Sequence, residues 1–178
     1  MKHRLLFLIV ILTLTLTSCN NDDNDTKPID QLPPATQIGA NTFGCLLDGE
    51  VFLPGDGQNP LDCVYEFANG VFNFGLQANK RNESNYVVWI GLKAKEFELE
   101  ENQTYNLLEE GNPTNGYGVF GLAGSYSYTT QNYSGKLTIT KLDLDNKIIS
   151  GTFFFDIQDF TGKIRKITDG RFDMQFRP

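Results

Sequence analysis

Four tyrosines, Tyr117, Tyr126, Tyr128 and Tyr133, share a short stretch with the amides of Gln131 and Asn132. An aromatic face accepts the axial hydrogens of a sugar ring, and amides bond its hydroxyls. The stretch is therefore a candidate ligand contact, with a glycan as the natural ligand. Tyrosines also fit strands for their shape alone, and Asn belongs in turns. Cys45 and Cys63 are a second candidate pair, with eighteen residues from one to the other. A disulfide closing a loop of that size contributes about 3 kcal/mol where geometry permits, and an oxidising compartment favours it. The other reading is two buried thiols packing as small apolar groups. Asp143, Asp145 and Asn146 superficially resemble a calcium loop. An EF-hand ends in Glu at its twelfth position, and counting from Asp143 that position is Phe154. A hairpin turn explains these residues better, and no metal site is assigned. Asp156, Asp159 and Asp169 read as solvated loop carboxylates. Glu96, Glu98, Glu100, Glu101, Glu109 and Glu110 are enough for a glycosidase acid/base pair on paper. An acidic chain has such carboxylates anyway, so no catalytic residue is assigned and no cofactor is expected.

His3 is the single histidine, and it lies in a leader. Lys2, His3 and Arg4 precede Leu5 to Thr17, 13 uncharged and mostly apolar residues. A bilayer-spanning helix needs about 20, so this is the core of an export signal. It ends in Leu16-Thr17-Ser18-Cys19, which resembles the bacterial lipobox. The resemblance implies that residues 1 to 18 are removed, that the Cys19 sulfur receives diacylglycerol and that its new amino group is acylated. Each buried methylene contributes about 0.8 kcal/mol, so two or more acyl chains hold a protein at a membrane. The following Asn20-Asn21-Asp22-Asp23-Asn24-Asp25 resembles the acidic export tag of Bacteroidetes-type surface lipoproteins. That implies an outer-membrane anchor with the domain at the cell surface, the periplasmic face being the other option. From Cys19 to Gln37 the composition is that of a flexible acidic, Pro-containing tether.

Without residues 1 to 18 the chain has 160 residues, enough for one domain with a real core. Loss of Lys2 and Arg4 leaves 13 basic against 22 acidic residues, a formal charge of -9. Nucleic acid, which needs a basic footprint, is excluded as a partner. With no histidine left, Ser-His-Asp and Cys-His nucleophiles are excluded, as are imidazole zinc sites.

The elements that must position the tyrosines are strands. Asp48-Gly49 links Thr42 to Leu47 with Glu50 to Leu53, and Asn69-Gly70 links Cys63 to Ala68 with Val71 to Ala78. Both dipeptides are hairpin signals. Phe72, Phe74, Leu76 and Ala78 alternate with Asn73, Gly75 and Gln77, the period of a half-buried strand. Tyr86 to Lys93 places Tyr86, Val88, Ile90 and Leu92 on one face and Val87 and Trp89 on the other. Trp89 is expected in the core or between sheets. Lys95 to Gln103 reads as a charged edge strand or a loop, and Thr104 to Leu108 as a strand. Tyr117 to Leu122 pairs with Ser125 to Thr130. Gly135 to Leu144 changes parity near Thr140-Lys141, the mark of a β-bulge. Ile148 to Gln158 and Ile164 to Arg177 complete the set. About nine or ten strands joined by tight turns predict an all-β domain over residues 38 to 178. The expected form is an antiparallel sandwich or partly open up-and-down barrel, with sequential strands as neighbours.

"NTFGCLLDGEVFLP", "GKLTITKLDLDNKIISGTFFFDIQD" and "ITDGRFD" extend the resemblance to a family of small Bacteroidetes lipoproteins without an established activity. The shared positions are turn glycines and core aromatics, so nothing catalytic is implied. The expectation is a non-enzymatic, lipid-anchored module that binds a glycan or an envelope protein. The alternative is a lipocalin-like carrier holding a small apolar ligand inside the barrel.

Overall fold

Alternation of apolar and polar residues drives eleven strands into one sheet. The computed structural model describes residues 26–55, 59–111 and 115–178. The strands are β1 (Thr42–Leu47), β2 (Glu50–Phe52), β3 (Leu61–Ala68), β4 (Val71–Arg81), β5 (Val87–Lys95), β6 (Thr104–Leu107), β7 (Gly116–Leu122), β8 (Ser125–Tyr128), β9 (Gly135–Asp143), β10 (Ile148–Gln158) and β11 (Ile164–Gln175). Their order is β2-β1-β11-β10-β9-β6-β7-β5-β4-β3, with β8 on β7. All ladders are antiparallel except the single β6–β7 pair, Leu107 beside Gly116. The sheet curls until its far edge meets the chain end. Tyr65 donates its N–H to the Arg177 carbonyl at 3.0 Å, and Arg177 donates to Cys63 at 2.9 Å. The result is a partly open barrel of eleven strands, one more than the upper sequence count.

The hairpins form where the turn chemistry requires them. Asp48 and Gly49, and Asn69 and Gly70, all have positive φ, the condition of a type I′ turn. The parity change in β9 is a bulge. Ser150 faces Lys141 and Gly151 faces Ile139, which leaves Thr140 unpaired. Inward residues of opposite walls meet in a core of Phe43, Phe52, Phe74, Phe153, Phe155, Phe172 and aliphatic side chains. Tilted, edge-on and stacked ring contacts run through it at centroid distances of 5.4–6.4 Å.

Two features depart from the sequence reading. Sequential pairing fails at β6, which lies between β7 and β9 while β5 pairs directly with β7. Residues 96–103 form no strand, but Leu99 is buried and its N–H reaches the Tyr65 hydroxyl at 3.0 Å. The second departure concerns the tether. Its described part packs on the domain: Pro28–Gln31 form one 3₁₀ turn, and Leu32 is buried. A Cβ on Gly44 would lie 2.6 Å from the Pro33 ring, so that glycine admits the segment. Asp173 then gathers its end, accepting from the Thr36 hydroxyl (2.6 Å) and the N–H groups of Ile38, Gly39 and Ala40.

Candidate functional site

The tyrosines divide between two environments. Ser125–Tyr128 pairs with β7 so that Tyr126 faces Gly121 and Tyr128 faces Val119. Both rings are exposed on the outside of the barrel. Thr129 fixes this strand: its backbone N–H bonds the Gly118 carbonyl, and its hydroxyl accepts the Gly118 N–H. Tyr117 is on the same outer side but buried, 6.0 Å from the Tyr128 ring. Its hydroxyl donates to Glu110 at 3.2 Å, and Glu110 also pairs with Lys95. Burial and the Glu110 charge push the Tyr117 phenol well above its ordinary range. Tyr133 closes the turn from Thr130 and is not part of this group. Cys19 lies outside the described residues.

Trp89 completes the aromatic group and corrects its expected place in the core. Its neighbours Val88 and Ile90 point inward, so Trp89 points outward, half-buried. The indole reaches over Gly91, where a Cβ would overlap the ring. Its Nε1 donates to Gln77 on β4 at 3.2 Å, and Tyr126 meets it edge-on at 5.7 Å. The period-two pattern of β5 already carried the signal for this orientation.

Beside Trp89 the outer face of β3, β4 and β5 is concave. A groove of 160 Å³ is lined by Asp62, Val64, Gly75, Gln77, Trp89 and Lys93. It continues past Gly75 and Lys93 into one of 350 Å³, where Glu66, Asn73 and Lys95 contribute. Gly75 is the informative residue. The β3 and β4 ladders pass it without a register shift, so it serves no bulge. A Cβ there would meet nothing within 4 Å, so no neighbour requires the glycine either. A mid-strand glycine weakens a sheet and often marks close approach by a ligand. The arrangement offers an indole as an apolar wall, backed edge-on by Tyr126, with amide, carboxylate and ammonium groups around an open floor.

The other candidates separate. Cys45 and Cys63 are present as two buried free thiols. Burial raises both thiols far above the ordinary range, with Lys80 opposing it at Cys45. In a Cys19→Ser chain, a thiol-specific dye is expected to label neither cysteine while the fold holds and both once it is denatured. Zero thiols after denaturation would reveal a disulfide instead. Asp143 accepts from the Asn146 side chain and N–H, which lower its pKa, so this is a hairpin turn. Asp156 pairs with Lys166. Asp159 is buried and caps its own turn through Thr161 and Lys163. Asp169 sits at a bulge in β11. Among the described residues no group of three His, Cys, Asp or Glu is placed to hold a metal.

The fold and this site define a class: a curled all-β barrel with a filled interior and an amphipathic outer-face groove. No family model, curated protein or solved structure matches the chain.

Proposed function

We propose that this chain is a lipid-anchored, non-enzymatic binding module of the bacterial cell surface, which takes saccharide chains across the outer face of β3, β4, β5 and β8. One observation carries the reading: the open floor at Gly75 lies beside an indole already immobilised by Gln77, Gly91 and Tyr126. Immobilised rings lose little freedom on binding, which is the source of affinity in preorganised sites. The alternating apolar walls and hydrogen-bonding groups match the two aspects of a pyranose. The carrier reading has less support, because the interior is occupied by packed rings.

Two variants test the site in the full chain purified in detergent, screened against an oligosaccharide panel. Trp89→Ala is expected to weaken the bound saccharide about tenfold, the effect of losing about 1.4 kcal/mol of ring contact. Gly75→Val is expected to abolish binding while leaving the melting temperature unchanged or raised, since strand propensity favours valine and the floor is empty. Binding that survives both substitutions would sink the proposed site.

The anchor rests on the lipobox resemblance and has its own test. Labelled palmitate is expected to enter the wild-type chain and not a Cys19→Ala chain, whose membrane fraction falls accordingly. Equal labelling of the two would remove the anchor from this reading.

A further inference from the structure

A second groove, of 380 Å³, opens on the outer face of β9, β10 and β11. In the eight-strand circuit from β3 through β4, β5, β7, β6, β9 and β10 to β11, strand β10 is four steps from β5 in either direction. The groove is therefore on the far wall from Trp89. Its lining brings together Lys136 and Thr138 from β9, Thr152 and Phe154 from β10, and Asp169 and Arg171 from β11. A bulge creates its shape. Phe153 faces Gly170 and Phe155 faces Ile167, so Phe154 opposes both Thr168 and Asp169. Asp169 takes φ 54°, a conformation that bends the strand there.

The chemistry of this groove is specific. Neither Lys136 nor Arg171 forms an ion pair with a described residue. Arg171 lies in one cross-strand row with Thr152 and Thr138, while Lys136 lies opposite Phe154, two residues along. Two strand spacings of about 4.8 Å and a step of about 3.4 Å per residue put the two backbones roughly 12 Å apart on the diagonal. Arg171 is steadied by its Nε bond to the Asp169 carbonyl at 3.3 Å. Phe154 is 51 % exposed in mid-strand, an apolar ring that the core does not use. Two unpaired cations call for an oxyanion, and the fork of arginine suits a carboxylate. Asp169 and the Thr152 hydroxyl call for hydroxyl groups, and the Thr138 hydroxyl beside them is shared with Thr104 at 2.8 Å. Phe154 calls for a flat apolar face. A bare phosphate would use the cations alone.

We infer that this groove is a binding site for an acidic sugar, a pyranose bearing a carboxylate, held between Arg171 and Lys136 with its ring against Phe154. It uses none of the residues of the Trp89 site, so the two stand or fall separately.

The test is calorimetric titration of the full chain in detergent with tetramers of galacturonate, glucuronate and mannuronate, and with uncharged glucose tetramers. At least one uronate tetramer is expected to bind, and the glucose tetramer to bind about tenfold more weakly at this groove. Arg171→Ala, Lys136→Gln and Phe154→Ala should each weaken the uronate about tenfold or more, with melting temperatures close to wild type because all three side chains are on the outer face. Each titration is run in a Gly75→Val background, which removes the saccharide site proposed above, so the heat reports this groove. No uronate binding, binding indifferent to Arg171 and Lys136, or equal affinity for glucose tetramers would overturn the inference. Equal competition by acetate would overturn it too, by reducing the site to a carboxylate contact.

Discussion

Asp173→Ala is expected to lower the free energy of unfolding by about 3–5 kcal/mol, the scale of leaving buried partners of a charge unpaired. Asp173 is fully buried in β11 and has no cationic partner among the described residues. Its charge is held by five donors: the Thr36 and Ser150 hydroxyls and the N–H groups of Ile38, Gly39 and Ala40. Burial pushes its pKa up, and the hydrogen bonds outweigh this and bring it down to about 2. A carboxylate with a folded-state pKa below its unfolded value of 3.8 stabilises the fold above that value. The contribution is about 2 kcal/mol, and it is lost as pH falls from about 4 through about 2. Urea unfolding at a series of pH values is the measurement. Wild type should lose stability across that interval, and Asp173→Asn should start lower and show a shallower slope. An unchanged midpoint in Asp173→Ala would mean that the segment before β1 is not held by this carboxylate.

Phe155→Ala is expected to have a comparable effect, about 3–5 kcal/mol, because a buried phenyl ring leaves both a lost transfer energy and a cavity. Phe155 has no exposed surface. Its ring passes under β7, where a Cβ on Gly118 would come within 2.9 Å of it. Its own backbone passes so close to Gly135 that a Cβ there would overlap the Phe154 carbonyl. The two glycines let β7 and β9 close on β10, so the ring and the glycines form one packing unit. Gly118→Ala alone should destabilise by overfilling. Combined with Phe155→Leu it should cost less than the sum of the two, a coupling that a double-mutant cycle reads directly. Strict additivity in denaturant titrations would show that the wall relaxes around the ring instead.

Much of this protein is settled by local pattern. Asp48-Gly49 and Asn69-Gly70 fold into hairpins because the backbone of a tight turn needs positive φ, whatever surrounds it. The alternation in β4 and β10 assigns Phe74 and Phe155 inward because side chains on a strand change sides at every residue. The parity change at Thr140 marks its bulge for the same reason. What tertiary structure decided are the contacts between residues far apart in sequence. The β1–β11 and β5–β7 ladders and the placement of β6 beside β9 depend on how the whole sheet curls, which no local period encodes. Trp89 enters the proposed site because Gln77 of β4 and Tyr126 of β8 meet it from two other strands. Segment 32–40 packs because one carboxylate more than 130 residues away meets its donors. Composition shows how little that segment can bury, and a polar network formed only in the fold holds it in place.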